Sequence, residues 1–336
     1  MARSSRLLSG LLVVVGLGLI ASAAVADPVV FKISTVAPKD SPWMVAYTAM
    51  NKEVEQATAG RVSFKFYPGM VSGDEKDMVR KMRGGQLQGA GVTGVGLQML
   101  EPNTLVLQLP LLYKNYEEMD AVRDKLTPKL QDLMNKKGFV ILGWSDLGYT
   151  YILTQTKVDS LASFAGVKMW GWEDEPISKR FFEVAGIAQV PLSLPDVLPG
   201  LQRGMINGVY NSPLGAIALQ WDKYVKFITK LSIGIGIGAT VVTKADWDKV
   251  SAADQAKVLE ISAKHHLALR KDIRAKNKEA GAQLKKQGIE FVDVPQVEMD
   301  RMSQIAAKVR ADIAAKMFQP GLLQEVEGIL KQVRGK

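Results

Sequence analysis

The sequence predicts a two-lobed α/β protein in which mixed β-sheets are flanked by helices. Strand-like and helix-like segments alternate along the chain, the alternation restarts near residue 149, and one helix is long enough to connect two lobes. Without residues 1–26, which have the composition of an export signal, roughly 310 residues remain, which suffices for two domains. The predicted boundaries assign residues 27–148 and 236–270 to lobe I, and residues 149–235 and 271–336 to lobe II.

The first half pairs short β-branched runs with amphipathic stretches. Residues 29–36 predict a strand, and residues 43–57 predict a helix with Met44 and Tyr47 on one stripe, ended by Gly60. The other elements predicted here are strands at 61–67, 88–93 and 139–144, and helices at 74–82 and 116–137. This order is typical of a largely parallel sheet with helices on both faces.

The second half repeats the pattern after Gly148. Its predicted elements are strands at 149–154, 166–172, 189–192, 208–210 and 233–243, and helices at 177–185 and 196–205. We interpret the alternating glycines within the last strand as easing a strand crossing between lobes, because their spacing does not fit a dinucleotide loop; they are Gly234, Gly236 and Gly238.

One very long helix follows that strand. Ser251 and Asp254 resemble a capping box, and helical composition continues to about Gln287. Apolar spacing predicts a buried stripe that consists of Val258, Ile261, His265, Leu269 and Ile273. At 1.5 Å per residue the helix is on the order of 50 Å long, so we expect it to span both lobes.

Residues 1–26 have the three-part pattern of a secretory signal. A basic start precedes an unbroken apolar stretch at 11–20, and Ala24 and Ala26 supply the small residues that a signal peptidase requires. The apolar stretch is shorter than the about 20 residues of a membrane-spanning helix. We therefore expect a cleavable signal peptide, a mature start near Asp27 and a periplasmic location.

Composition excludes several classes of protein. The chain has no cysteine, so it has neither a disulfide framework nor a lipid-attachment cysteine. Its formal net charge is +9, but basic and acidic residues are interleaved, as at residues 270–272. We interpret this pattern as a solvated surface and expect no nucleic-acid partner.

Catalytic motifs are missing from the sequence. His265 and His266 are adjacent, so on a helix they point in different directions and do not share a metal in the usual way; we interpret His265 as a core residue. We therefore expect no metal and no cofactor. The acidic run 173–175 either starts a helix at Pro176 or serves an exported α/β enzyme through Glu173 and Asp174.

Aromatic and polar residues gather where predicted strands end. They are Trp144, Tyr149, Trp170, Trp172, Tyr210 and Asn211. The carboxyl ends of parallel strands are where open α/β sheets bind ligands, and aromatic side chains suit a mostly apolar pocket. The predicted ligand-binding residues are Trp170, Asn211, Tyr210, Trp172, Glu173, Thr150, Tyr149, Trp43 and Thr93.

Four segments together resemble one known family. They read FKISTVAPKDSPW, VEQATAGRVSFKFYPG, LASFAGVKMW and LPDVLPGLQRGMINGVYNSP. In this order they resemble the solute-binding proteins of TRAP transporters, of the C4-dicarboxylate-binding (DctP) type. The resemblance implies two lobes that close on a buried ligand, a long helix across both lobes, delivery to TRAP membrane permease subunits, and no reaction.

The sequence departs from this family where the family binds carboxylates. The resemblance implies one arginine two residues after Lys168 and another after Gly148, but Trp170 and Thr150 occupy these positions. Asn211 matches the family's binding asparagine, with Tyr210 in place of its acidic neighbour.

Three kinds of small organic solute remain open. The first is aromatic or largely neutral and stacks on Trp170 and Trp172. The second is an amine or quaternary cation held by those rings and Glu173. The third is a carboxylate paired through a metal or another basic residue such as Lys168. A sensor that presents the solute to a signalling partner stays an alternative to transport.

Overall fold

The structure, a computed structural model, describes residues 27–335, so the predicted signal peptide lies outside the described residues. The strands are β1 (Val29–Thr35), β2 (Val62–Tyr67), β3 (Gly89–Thr93), β4 (Phe139–Thr154), β5 (Met169–Trp172), β6 (Gln189–Leu192), β7 (Gly208–Asn211), β8 (Phe227–Thr243) and β9 (Glu290–Val292). The α-helices are α1 (Pro42–Ala57), α2 (Glu75–Arg83), α3 (Gly94–Leu100), α4 (Tyr116–Lys136), α5 (Pro176–Ala185), α6 (Leu194–Gln202), α7 (Pro213–Ala218), α8 (Lys244–Trp247), α9 (Ala252–Lys286), α10 (Gln296–Met317) and α11 (Leu322–Arg334).

All nine strands belong to one mixed sheet. Its order is β2-β1-β3-β8-β4-β7-β5-β6, and β9 pairs with β8. The outer pairs, β1 with β2 and β5 with β6, are parallel, as predicted. Around the centre of the sheet, β3 and β4 pair with β8 antiparallel, and β7 pairs with β4 antiparallel. The prediction of a largely parallel sheet therefore holds only for the two flanks, and the mixed α/β fold class is confirmed.

The two central strands are longer than the sequence predicts. β4 continues through residue 149, where a new element was expected, and β8 begins six residues before the predicted start. The pairing of β4 with β8 shifts register beside Gly148, which has φ 108°. Gly148 therefore marks a bulge within one strand and not a strand end, because the ladder resumes after it. Gly234, Gly236 and Gly238 lie within β8 opposite this region.

The long helix α9 has the predicted bounds. Its N-cap Ser251 accepts a hydrogen bond from the Asp254 amide. The buried stripe differs from the prediction at one point: His266 is 2% exposed and bonds Thr240, whereas His265 is half-buried and contacts Glu53. Only this one position changes, because residues three and four before Leu269 both fit the helical spacing.

Helix α9 contacts elements on both sides of the sheet's centre. It packs on β4, on α1 of the first half and on α7 of the second half. Asn277 of α9 donates to the Leu147 carbonyl at 2.9 Å and accepts from the Leu214 amide at 3.1 Å. The helix thus connects the central strand to both lobes, as predicted.

The two C-terminal helices pack on helices of both halves of the chain. α10 packs on α5, and α11 packs on α4. Arg334 of α11 donates to the Glu118 carboxylate of α4, which belongs to the predicted lobe I. The lobe boundaries given above remain a prediction. Within residues 27–335, no helix combines the length and apolar character that crossing a membrane requires.

Candidate functional site

A cavity of about 190 Å³ lies between the two halves of the molecule. The carboxyl ends of four strands with parallel partners, β1, β3, β5 and β7, contribute Thr35, Thr93, Trp172 and Asn211 to its wall. The central strands β4 and β8 and the helices α1, α5, α6 and α7 also contribute residues to it. The cavity therefore lies where the strand-end argument predicts a ligand site.

Aromatic side chains form most of the wall on the side of the second half. Trp170 stacks on Tyr210 with ring centroids 4.8 Å apart, and Trp172 and Trp221 lie 5.7 and 5.3 Å from Trp170. The Trp170 indole donates to the Leu192 carbonyl at 3.0 Å and is 1% exposed. The hydrogen bond and the ring contacts orient the Trp170 indole within the wall.

The other predicted residues in the wall supply polar atoms. Trp43 donates its indole N–H to the Asp146 carbonyl at 3.2 Å, and Thr93 bonds Glu75 at 3.0 Å. The Asn211 Oδ1 accepts from the Ser212 amide at 2.8 Å, and Thr150 pairs with Gly234 of β8. Thus Trp43, Thr93, Thr150, Trp170, Trp172, Tyr210 and Asn211 all line the cavity.

Three residues that the sequence analysis placed at the site do not line the cavity. Tyr149 packs on Tyr116 with centroids 4.7 Å apart, and Trp144 bonds Thr127 of α4 at 3.0 Å. Neither lines the cavity, whereas Ser145 and Thr150 of β4 do. Strict alternation would put Ser145 and Tyr149 on one face, but the register shift beside Gly148 interrupts the alternation between them. Glu173 is exposed and outside the wall.

Lys168 does not supply the missing cation. It is exposed and donates to the Gly204 carbonyl at 3.2 Å. Among residues 27–335, no lysine, arginine or histidine lines the cavity. Asp174, the other acid of the enzyme hypothesis, pairs with Lys76 at 3.2 Å and is also outside the wall.

Glu175 is the charged residue of the wall, and it was not among the predicted site residues. It is 5% exposed, and its carboxylate oxygens accept from the amides of Ile177 at 2.9 Å and Ser178 at 2.7 Å. It therefore caps α5, and Pro176 follows as predicted for a helix start. Burial raises the pKa of the Glu175 carboxyl, which the Ser178 bonds partly offset. The acidic run before Pro176 indicated a helix start in the sequence, but it did not indicate that the Glu175 side chain lines a cavity.

A short polar chain runs from Glu175 along the wall. The Ser178 hydroxyl lies 2.9 Å from the Tyr210 hydroxyl, which accepts from the Trp172 amide at 3.4 Å. Burial raises the pKa of Tyr210, so its hydroxyl stays protonated at neutral pH. The groups of this short polar chain are thus two hydroxyls and one carboxylate.

Asp74 joins the two halves at the edge of the cavity. Its Oδ2 accepts from the Trp172 indole at 3.0 Å and from the Leu194 amide at 2.9 Å, while Oδ1 accepts from the Glu75 amide at 2.7 Å. Gln98 adds a 2.9 Å bond to the Asp174 carbonyl. The sequence analysis missed Asp74, because its partners are far away in the chain.

Behind the cavity wall, Glu75 is fully buried. It accepts from the Thr93 amide and hydroxyl and from the Gly96 amide, at 2.8, 3.0 and 2.6 Å. Burial raises its pKa to about 7, against the lowering effect of these bonds and with a further increase from Asp74. The group therefore titrates near neutral pH.

Two arginines near Ser145 of the wall are already paired with carboxylates. Asp146, next to Ser145, is fully buried and accepts from Arg123 at 3.2 Å and from Arg274 at 2.7 Å. Arg274 also binds Asp120 at 2.7 Å and stacks on Tyr116. This cluster connects α4, β4 and α9 and presents no guanidinium to the cavity.

Residues 27–335 contain no group of three or more His, Cys, Asp or Glu side chains that would hold a metal ion. The wall offers apolar, hydroxyl and amide groups and one carboxylate, a set that suits enclosure of a small molecule.

Comparison with known proteins places the chain in one group. The model of the family described as bacterial extracellular solute-binding protein, family 7 (DctP), matches residues 33–317. A solute-binding protein of Verminephrobacter eiseniae is 24% identical over 310 residues, which cover 91% of this chain and 90% of that protein. The C4-dicarboxylate-binding periplasmic protein DctP of Rhodobacter capsulatus is 25% identical over 235 residues, which cover 68% of this chain and 69% of that protein.

Solved structures share the architecture. A TRAP periplasmic solute-binding protein of Citrobacter koseri with bound D-glucuronate is similar with a TM-score of 0.81 and 26% identity, over 89% of this chain and 98% of that chain. An extracytoplasmic solute receptor of Bordetella pertussis that binds pyroglutamic acid has a TM-score of 0.83 and 20% identity, over 90% of this chain and 99% of that chain. The two-lobed fold is thereby confirmed.

Proposed function

Because the chain belongs to family 7 of the bacterial extracellular solute-binding proteins, the DctP family, we propose that it captures a small organic solute between its lobes and delivers it to a TRAP membrane permease. The cavity carries this proposal, since both halves of the chain enclose it and strand ends supply its wall. Periplasmic location fits the family, and export through residues 1–26 is part of the proposal.

Binding without turnover fits the wall. Glu175 is the one charged side chain that the described residues present there, and they place no second carboxylate, histidine or lysine beside it for acid–base catalysis. Glu173 and Asp174, the residues of the enzyme hypothesis, lie outside the cavity. We therefore assign the aromatic side chains to holding the solute.

The solute we propose is aromatic, neutral or cationic, and not a simple dicarboxylate. Three of the four relatives named above are described with acids, so this proposal differs from what their descriptions name. A carboxylate in a dry site without a cationic partner costs several kcal/mol even after relaxation. No basic side chain of residues 27–335 reaches the cavity, whereas aromatic surface is abundant there.

Thermal-shift screening of the mature protein against organic acids, aromatic compounds, sugars and amines tests this proposal. A solute present at 100 times its dissociation constant stabilises the folded state by about 2.7 kcal/mol. We expect stabilisation by aromatic, neutral or cationic compounds. Stabilisation by dicarboxylates alone would show that the solute class is wrong, and no stabilisation by any compound would contradict solute binding.

A further inference from the structure

The charge of the cavity wall is one-sided. Three consecutive acids precede α5, but only Glu175 is buried and in the wall, while Glu173 is exposed and Asp174 pairs with Lys76. Within the described part of the chain, no cationic side chain faces Glu175 across the cavity. Its neighbours are the two amides of α5 and the Ser178 hydroxyl.

Those neighbours stabilise the carboxylate without neutralising it. Amide and hydroxyl donors offset part of the cost of burying a negative charge, but the charge remains. The raised pKa of Glu175 is consistent with this incomplete compensation. The wall therefore has a net negative potential at neutral pH whenever Glu175 is ionised.

Aromatic rings add to this potential. Tyr210 stacks on Trp170 and lies 6.0 Å from Phe182, and its hydroxyl bonds Ser178 next to Glu175. Ring faces are electron-rich and attract cations. Rings and carboxylate thus favour the same sign of charge in a solute, and both disfavour an anion.

Resting on the proposed solute-binding function, we propose that Glu175 makes the cavity selective for organic cations, namely a protonated amine on an apolar or aromatic body. The ammonium group pairs with the Glu175 carboxylate, and the body of the solute lies against the rings. A carboxylate solute would place a second negative charge beside Glu175 in a site without a basic residue.

Calorimetry with matched solutes tests this selectivity. One series is phenethylamine, 2-phenylethanol and phenylacetate, and a second is hexylamine, hexanol and hexanoate. In the unaltered protein we expect each amine to bind about tenfold or more tightly than its alcohol, and each carboxylate most weakly, because a bond to a charged group contributes more than one between neutral groups.

The variant Glu175→Gln should bring amine affinity down to that of the alcohol measured in the same variant. Glu173→Gln, which removes an exposed charge from the same segment, is the matched control and should keep the amine preference. Because Glu175 also caps α5, the pH dependence of the unaltered protein gives a second measurement: amine affinity should fall as acid protonates Glu175.

Three results overturn the proposal: equal affinity for amine and carboxylate, an amine preference that survives Glu175→Gln, or no binding of either amine. None of these results decides whether the protein binds a solute at all, which the thermal-shift screen tests separately. If that library identifies a solute while both amines fail, only the assignment of Glu175 is wrong.

Discussion

The Trp172 indole donates a 3.0 Å hydrogen bond to the Asp74 carboxylate, so a side chain of the cavity wall is bonded to the N-cap of a helix in the other half of the molecule. The same oxygen accepts from the Leu194 amide at 2.9 Å. Trp172 and Leu194 both line the cavity. One carboxylate of the first half therefore holds two wall residues of the second half in place.

Replacing Asp74 by serine should weaken solute binding. Serine caps helices about as well as aspartate, so α2 should persist, but its short side chain does not reach Trp172 and Leu194. Bonds to a charged group contribute about 1.5–3 kcal/mol, so we expect affinity to fall tenfold or more in calorimetry.

Asp77→Asn is the control for this change, because Asp77 lies in the same helical turn and bonds only Asp74 and Arg80. It should leave affinity within about twofold, as expected for an exposed pair. Equal losses in the two variants would assign the Asp74 effect to the helix and not to the contact between halves.

Glu75 should make stability depend on pH. Its pKa is about 7 in the folded protein against an ordinary value of 4.5, so the folded state holds a proton that the unfolded chain releases. Stability should therefore be highest at acidic pH and fall by about 3 kcal/mol between pH 4.5 and 7 from this group alone.

Denaturant unfolding of Glu75→Gln across pH 5–8 measures this contribution as the difference in slope from the unaltered protein. The comparison is needed because His266, with a pKa lowered to about 4, acts oppositely: it destabilises the fold as pH falls below 6.5. Identical pH profiles for the two proteins would contradict the assignment to Glu75.

Thr150→Arg should give the cavity affinity for carboxylates. Thr150 is partly exposed and lines the cavity, so an arginine there supplies the guanidinium that the wall lacks. Trp170 is a poorer position for this test, because it is fully buried and its replacement would leave a charge in the core.

We expect Thr150→Arg to bind succinate or D-glucuronate at least about tenfold more tightly than the unaltered protein does in calorimetry. Thr156→Arg adds the same charge at an exposed position just beyond β4 and should gain nothing. A gain in both variants would mean that net charge, and not the cavity, attracts the anion.

Periodicity predicted most elements to within a few residues, since their apolar spacing is local. It divided β4 at Gly148, because a glycine with positive φ usually ends an element and the sequence does not show that β8 continues beside it. It also chose His265 over His266, where two spacings fit the same apolar pattern.

The strand-end argument identified Trp170, Trp172, Tyr210 and Asn211, all of which line the cavity, and their contact with a solute stays a prediction. It included Tyr149 because the sequence does not show which side of β4 faces the cavity. Asp74 was out of reach, since its bonds to Trp172 and Leu194 span 98 and 120 positions.

Native mass spectrometry of the mature protein incubated with a metabolite extract tests the central claim, which is that a solute without a carboxylate occupies the cavity. The account predicts one small adduct that is released on unfolding and whose exact mass identifies a neutral compound or an amine. An adduct that proves to be a dicarboxylate or a sugar acid would contradict it, as would the absence of any adduct.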